Sequence, residues 1–234
     1  MGVLDILSRK GRSLDEAITC ASQATDSGFL VAVRPTVDLT TAQWRQVVQD
    51  LDGAQLASVC ELWVTQDNWP TAALAHRPGV HWALIGADAL ELDERVREQA
   101  QQVGITVTRS ADRRASESEC AHAGAVRVRL TSNRPQGPSS GGGQRAYFTS
   151  RQEADKAYVR CAKALLAQSA SPSFMTEDQR LIDIIRALAI RQGRANTDVE
   201  FCMEFGRRQR QAQDLSEAGY CVRYVIDFEP RELP

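Results

Sequence analysis

The sequence predicts an α/β protein in which strands and helices alternate, and three observations lead there. About eight short apolar segments, rich in β-branched residues, are separated by charged amphipathic ones. The connections are short, and Val199–Val225 (VEFCMEFGRRQRQAQDLSEAGYCVRYV) shows the repeating unit in full: a strand, a glycine turn, a charged helix and a second strand. A composition of 43% hydrophobic and 25% charged residues over 234 positions suits a globular chain that can bury one sizeable core. Such alternation calls for right-handed parallel βαβ units. Eight of them close into a barrel, and a doubly wound open sheet fits the same pattern.

The elements follow in order. Ser13-Leu-Asp-Glu16 has the spacing of a capping box and opens the first helix. Phe29–Pro35 (FLVAVRP) is an apolar strand, followed by a helix near Ala42–Leu51 and a strand at Ala57–Val64. A short helical stretch near Thr71–Ala75 leads to a third strand, Val80–Ile85. Helix Leu92–Gln102 and strand Ile105–Arg109 come next, then a second capping-box spacing, Ser116-Glu-Ser-Glu119, and a fifth strand, Gly124–Leu130. After a loop rich in Gly, Ser and Pro (Thr131–Phe148) the pattern gives helix Arg151–Gln168, strand Ser173–Met175 and helix Glu177–Arg191. Strand Val199–Met203, helix Arg207–Ala218 and strand Cys221–Ile226 complete it. Leu181, Ile182, Ile185, Leu188 and Ala189 form the core stripe of their helix. The strand count runs through the 131–148 loop, so residues 1–234 read as one domain. No helical pattern follows the eighth strand, which leaves apolar surface expected around Val222 and Val225 and a self-association or partner surface there.

Composition excludes several functions. A net charge of −2 argues against a generic nucleic-acid binder. Six cysteines without a Cys-x-x-Cys pair argue against a zinc site or a disulfide framework, and point to buried thiols in a reducing cytosol. His76, His81 and His122 lack ligand spacing. No apolar run approaches the roughly 20 residues of a membrane span, so the chain reads as cytoplasmic. Gly141–Gly143 is not followed by Gly-Lys-Ser/Thr and reads as a flexible loop rather than a phosphate cradle.

Phe201, Met203, Gly206, Arg208, Gly219, Tyr220, Val222 and Arg223 carry a resemblance to the last strands of the proline dehydrogenase barrel. VGITVTRSADRRASESE (Val103–Glu119), GAVRVRL, the trio Glu153, Asp155 and Tyr158, and FMTED (Phe174–Asp178) resemble its preceding elements in the same order. The likeness covers about the last 130 residues and fades toward the N-terminus. It implies a (βα)8 TIM-barrel-like fold, here lacking the usual final helix. It also implies FAD at the C-terminal ends of the strands, and hydride transfer from proline or a related cyclic amine to the flavin. By that resemblance Arg129 is the fifth-strand cation that stabilises the reduced flavin. Thr108 stands where a flavin-bonding glutamine is expected, Thr176 matches the sixth-strand threonine, and Arg208 reaches toward the cofactor phosphates.

Departures from the family pattern are numerous. The lysine expected after Arg129-Leu130 is replaced within Thr131-Ser132-Asn133. Glu177 stands where a histidine follows the threonine, and Cys60 or Glu61 stands for a substrate-side lysine. The final helix, with its arginine pair for the substrate carboxylate, has no counterpart. Each such charge-assisted hydrogen bond is worth about 1.5–3 kcal/mol, so free proline is a poor substrate for this chain.

Arg127 and Arg129 alternate with Val126, Val128 and Leu130 and share one strand face. They serve either an anion or flavin contact or an internal ion pair with Glu61 or Glu200. Arg207, Arg208 and Arg210 open a helix and form either a phosphate contact or a solvated basic face. Cys202 and the four tryptophans, Trp44, Trp63, Trp69 and Trp82, read as core. The leading expectation is an FAD-dependent oxidoreductase of a small cyclic amine. The alternative is a non-catalytic relative kept as a binding or complex-forming module. A barrel holding a phosphorylated ligand through Arg127, Arg129 and the Gly-rich loop is a third.

Overall fold

The computed structural model describes residues 11–65, 67–85, 104–123, 127–132, 147–167 and 171–230. Its strands are β1 (Leu30–Pro35), β2 (Cys60–Thr65), β3 (His81–Ile85), β4 (Thr106–Ser110), β5 (Val128–Thr131), β6 (Ser173–Met175), β7 (Glu200–Glu204) and β8 (Cys221–Phe228). They close into a parallel barrel in chain order, so the open-sheet alternative is excluded. The helices are α1 (Leu14–Asp26), α2 (Thr41–Gly53), α3 (Trp69–Ala73), α4 (Ser116–Ala121), α5 (Arg151–Leu166), α6 (Gln179–Arg191) and α7 (Gln209–Glu217). The expected helix at Leu92–Gln102 and the run Gly141–Gly143 lie outside the described residues. No described residue after Phe228 is helical.

The chain divides into two compact units, one built on Met1–Leu84, Met203–Glu217 and Val222–Pro234, the other on Ile85–Cys202 and Ala218–Cys221. In the first, the Ser13–Glu16 capping box forms as expected: Glu16 N donates to Ser13 Oγ (3.3 Å) and Ser13 N to the Glu16 carboxylate (2.8 Å). A second box, Thr40–Gln43, opens α2. Helix α1 packs on β1, and Trp44, Trp69 and Trp82 stack edge-to-face at 5.2 and 5.8 Å. In the second unit, the buried Tyr158 hydroxyl of α5 donates to the Leu130 carbonyl at 3.2 Å and so ties that helix to β5. The stripe on α6 buries Leu181, Ile182, Ile185 and Ala189, as its spacing predicts.

Three expectations change. The Ser116-Glu119 spacing does not form a capping box: Ser116 is the first residue of α4, and its hydroxyl donates to the Ser110 carbonyl instead. Arg207 and Arg208 precede their helix, which starts at Gln209, and Arg208 adopts φ +46°. Finally, Val222 and Val225 are 3% and 1% exposed, so the apolar surface from which self-association was expected is not there.

Candidate functional site

Two groups of charged side chains line the inward faces of the strands. The first belongs to the unit that contains β4 to β6 and the start of β7. Parallel register sets Thr108 beside Arg129, Arg129 beside Ser173, and Ser173 beside Glu200, so four inward polar residues form one row across β4, β5, β6 and β7. Ser173 and Glu200 are the first residues of their strands, which puts this row toward the strands' N-terminal ends. Arg129 is fully buried. Its Nε donates to Ser173 Oγ at 3.0 Å and its Nη2 to Glu200 Oε1 at 3.0 Å, while the Ser173 hydroxyl donates to Glu200 Oε1 at 2.7 Å. Arg127 Nη2 reaches the other carboxylate oxygen at 2.7 Å. Of the two readings of these arginines, the structure displays the ion pair, with Glu200 as the partner. Glu61 pairs with Arg223 instead, at 3.8 Å, and accepts from Trp63 Nε1 at 2.9 Å.

The second group belongs to the other unit, at the C-terminal ends of β1, β7 and β8. Arg34 and Asp227 are register partners. Arg34 Nε donates to Asp227 Oδ1 at 2.6 Å and Nη2 to Oδ2 at 3.0 Å, a bidentate pair; Nη2 also reaches Glu204 Oε1 at 3.1 Å. The Trp63 ring lies under the guanidinium, 5.4 Å from its carbon. These side chains keep 24%, 25% and 41% of their surface for Arg34, Glu204 and Asp227. Burial raises the pKa of the Glu204 carboxyl; the Arg34 charge works against that and Asp227 works with it, and the net shift is upward. Burial lowers that of the Arg34 guanidinium, but its bonds to Asp227 and the Glu204 charge outweigh the loss and raise it. Two carboxylates thus share one arginine, and all three side chains are partly exposed. Barrel enzymes assemble their chemistry at this end of their strands.

The sequence-predicted residues distribute unevenly. Thr108 and Arg129 are neighbours in the buried row, and Thr108 Oγ1 is buried with no hydrogen-bond partner among the described residues. Thr176 follows β6, is 6% exposed, and accepts from Asp178 N at 3.2 Å. Arg208 is exposed in the turn before α7 and belongs to the other unit. Cys202 is buried in β7, and Trp44, Trp63, Trp69 and Trp82 are all core. All six cysteines are free thiols, and no group of metal-ligating residues occurs among the described residues. Sequence reasoning missed Arg34, Glu204 and Asp227. The available signal was a charged residue at or near the C-terminal end of three largely apolar strands.

The described residues are a poor fit for FAD. The Arg129 donors Nε and Nη2 are already engaged by Ser173 and Glu200. Glu177, beside Thr176, has a buried carboxylate oxygen without a partner among the described residues, which would repel a diphosphate. Thr108 Oγ1 is the one feature here that suits a flavin contact.

No protein-family model and no curated protein matches the sequence. Solved structures do. Proline utilization A from Bdellovibrio bacteriovorus, inactivated by N-propargylglycine, superposes with a TM-score of 0.78 at 16% identity over 94% of this chain. The protein of that name from Corynebacterium freiburgense gives 0.72 at 10% identity over 98%. A Bradyrhizobium japonicum mutant of it gives 0.64 at 14% over 94%. The chain spans about 30% of the length of these proteins. What it shares with them is the fold, the eight-stranded parallel barrel of the proline dehydrogenase domains of proline utilization A.

Proposed function

We propose that this chain is a proline-dehydrogenase-like barrel that binds a small cyclic amine or amino acid at the C-terminal ends of its strands. The observation that carries this is the Arg34–Glu204–Asp227 cluster: partly exposed, of mixed charge, and flanked by an aromatic face. The solved relatives support the ligand class: one is inactivated by N-propargylglycine and another has proline bound in remote sites. The oxidoreductase form of this reading is FAD-dependent oxidation of such an amine, against which the engaged Arg129 and the Glu177 carboxylate count. It rests on the fold likeness and on the unpartnered Thr108 hydroxyl. The second reading, a non-catalytic binding module, is favoured by the closed Arg129–Glu200 pair.

An absorbance spectrum of the purified protein, before and after incubation with excess FAD and desalting, separates the two forms. Retained flavin bands select oxidation, and their absence selects the binding module. Calorimetric titration with pyrrolidine and with proline tests the site itself. Heat of binding that disappears in Glu204→Gln supports it, whereas no binding of either compound rejects it.

A further inference from the structure

Between the first turn of α1, one face of α2 and the end of β8 lies a cavity of about 290 Å³. Every described residue of its wall belongs to the first unit. Roughly 150 Å³ is enough to hold benzene in an apolar protein cavity, so this one has room for a six-membered ring and a polar head. Leu14, Leu39, Val47 and Phe228 supply apolar wall, and each is buried. Gln46 and Asp50 join Val47 on the face of α2 that borders the space.

The charged residues of the wall are both acidic, Asp50 and Asp15. Asp50 Oδ1 accepts from Gln46 Nε2 at 2.7 Å, a neutral donor, and no described cation pairs with the Asp50 carboxylate. The arginines nearest in sequence point elsewhere. Arg45 falls on the opposite face of α2 from Val47 and Asp50, by the helical period. Arg12 sets its guanidinium over the Phe205 ring at 5.5 Å and bonds to Cys20, which lies on a different face of α1 from Leu14 and Asp15. Apolar walls favour a hydrocarbon body, and a carboxylate answered only by an amide favours a positive charge at one end of it.

We propose that this cavity is a binding site for small organic cations with an apolar body, such as arylalkylammonium ions. Leu39, Val47 and Phe228 surround the hydrocarbon, and Asp50 accepts from the ammonium. The ammonium keeps its proton, so binding involves no chemical step. The site shares no residue with the Arg34–Glu204–Asp227 cluster and does not depend on the function proposed for it.

Benzylammonium, benzyl alcohol and benzoate serve as probes, because they keep one ring and run from positive through neutral to negative. In NMR titrations of the methyl-labelled wild-type chain at neutral pH, benzylammonium should shift the Val47 and Leu39 methyl signals saturably. Nuclear Overhauser contacts from its ring to those methyl groups should accompany the shifts. It should bind about threefold more tightly than benzyl alcohol, the size expected of one partly exposed ion pair, and benzoate should bind more weakly than either. Asp50→Asn should bring benzylammonium and benzyl alcohol level while the Val47 and Leu39 shifts persist. Equal or tighter binding of benzyl alcohol or benzoate by the wild-type chain overturns the choice of a cation. Absence of saturable shifts at Val47 and Leu39 with all three overturns the site. The wild-type comparison needs no variant, so it decides the question even if a substitution perturbs folding.

Discussion

Strand β7 carries a glutamate at each end, and the two meet opposite fates. Glu200, its first residue, is 2% exposed, and its carboxylate is held by Arg129, Arg127 and Ser173. Glu204, its last, keeps a quarter of its side chain exposed and shares one arginine with a second carboxylate. The residue type, strand and face are the same, since successive positions alternate and positions four apart coincide. The difference lies in how completely each charge is answered. A fully hydrogen-bonded buried pair has no spare capacity for a ligand, and at the N-terminal ends of barrel strands such groups serve stability. A partly exposed group that shares its arginine with a second carboxylate, at the C-terminal ends, retains the capacity to bind.

The largest expected effect is at the buried row. Arg129→Met leaves Glu200 without its buried partner and should lower the unfolding free energy by about 3–5 kcal/mol in urea titrations. An Arg129 whose role is confined to touching a cofactor would leave stability almost unchanged.

Next comes Asp178, the N-cap of α6, whose carboxylate accepts from Arg180 N at 3.0 Å. Asp178→Ala should cost about 1 kcal/mol. The hydrogen bond from the Arg180 side chain, with the Arg180 and Arg151 charges, holds the Asp178 pKa down to about 2. Its contribution is therefore present above the ordinary carboxylate value and is lost as pH falls toward 2. Unfolding curves of wild type and variant should converge over that range. A difference that persists at the acid end would assign the helix cap to something other than the charged carboxylate.

Glu204 has the opposite sign. With its pKa raised, the stability it contributes is present below the ordinary carboxylate value and is lost as pH rises through the higher folded value. Acidification should thus favour wild type relative to Glu204→Gln, while amine binding at the strand ends should strengthen as pH rises and Glu204 ionises. Binding that is flat across the acid range would remove Glu204 from the site.

The smallest effect concerns Arg208, a non-glycine residue at φ +46°. Arg208→Gly should gain about 0.5–1 kcal/mol if the side chain only occupies a strained turn. A neutral or adverse effect on stability would point to a stabilising contact made by the side chain.

Much of this architecture was legible in the sequence, because the period of apolar residues and the spacing of caps are local properties. Leu181, Ile182, Ile185 and Ala189 face the core as their spacing requires, and Ser13 caps α1 as its pairing with Glu16 requires. Where a local signal failed, a nonlocal contact won. Ser116 has cap spacing, yet its hydroxyl is drawn to the Ser110 carbonyl. Arg127 and Arg129 were legible as inward-facing charges with an anion to find. Which anion they found depended on register between strands more than forty residues apart, and alternation within one strand cannot supply that. Arg34, Glu204 and Asp227 lie on three separate strands, two of them more than 160 residues from the first in sequence. Only barrel closure brings them together. Val222 and Val225 show the same limit, since their burial was invisible to a reading that looked for a covering helix next in the chain.

The most direct test compares the two ends of β7 by one isosteric change. Equilibrium urea unfolding of Glu200→Gln and Glu204→Gln at neutral pH should show a loss of about 3–5 kcal/mol for the first, which strips a buried arginine of its counter-charge, and a change within about 1 kcal/mol for the second. Equal losses, or the larger loss at Glu204, would contradict the division of β7 into a structural end and a binding end.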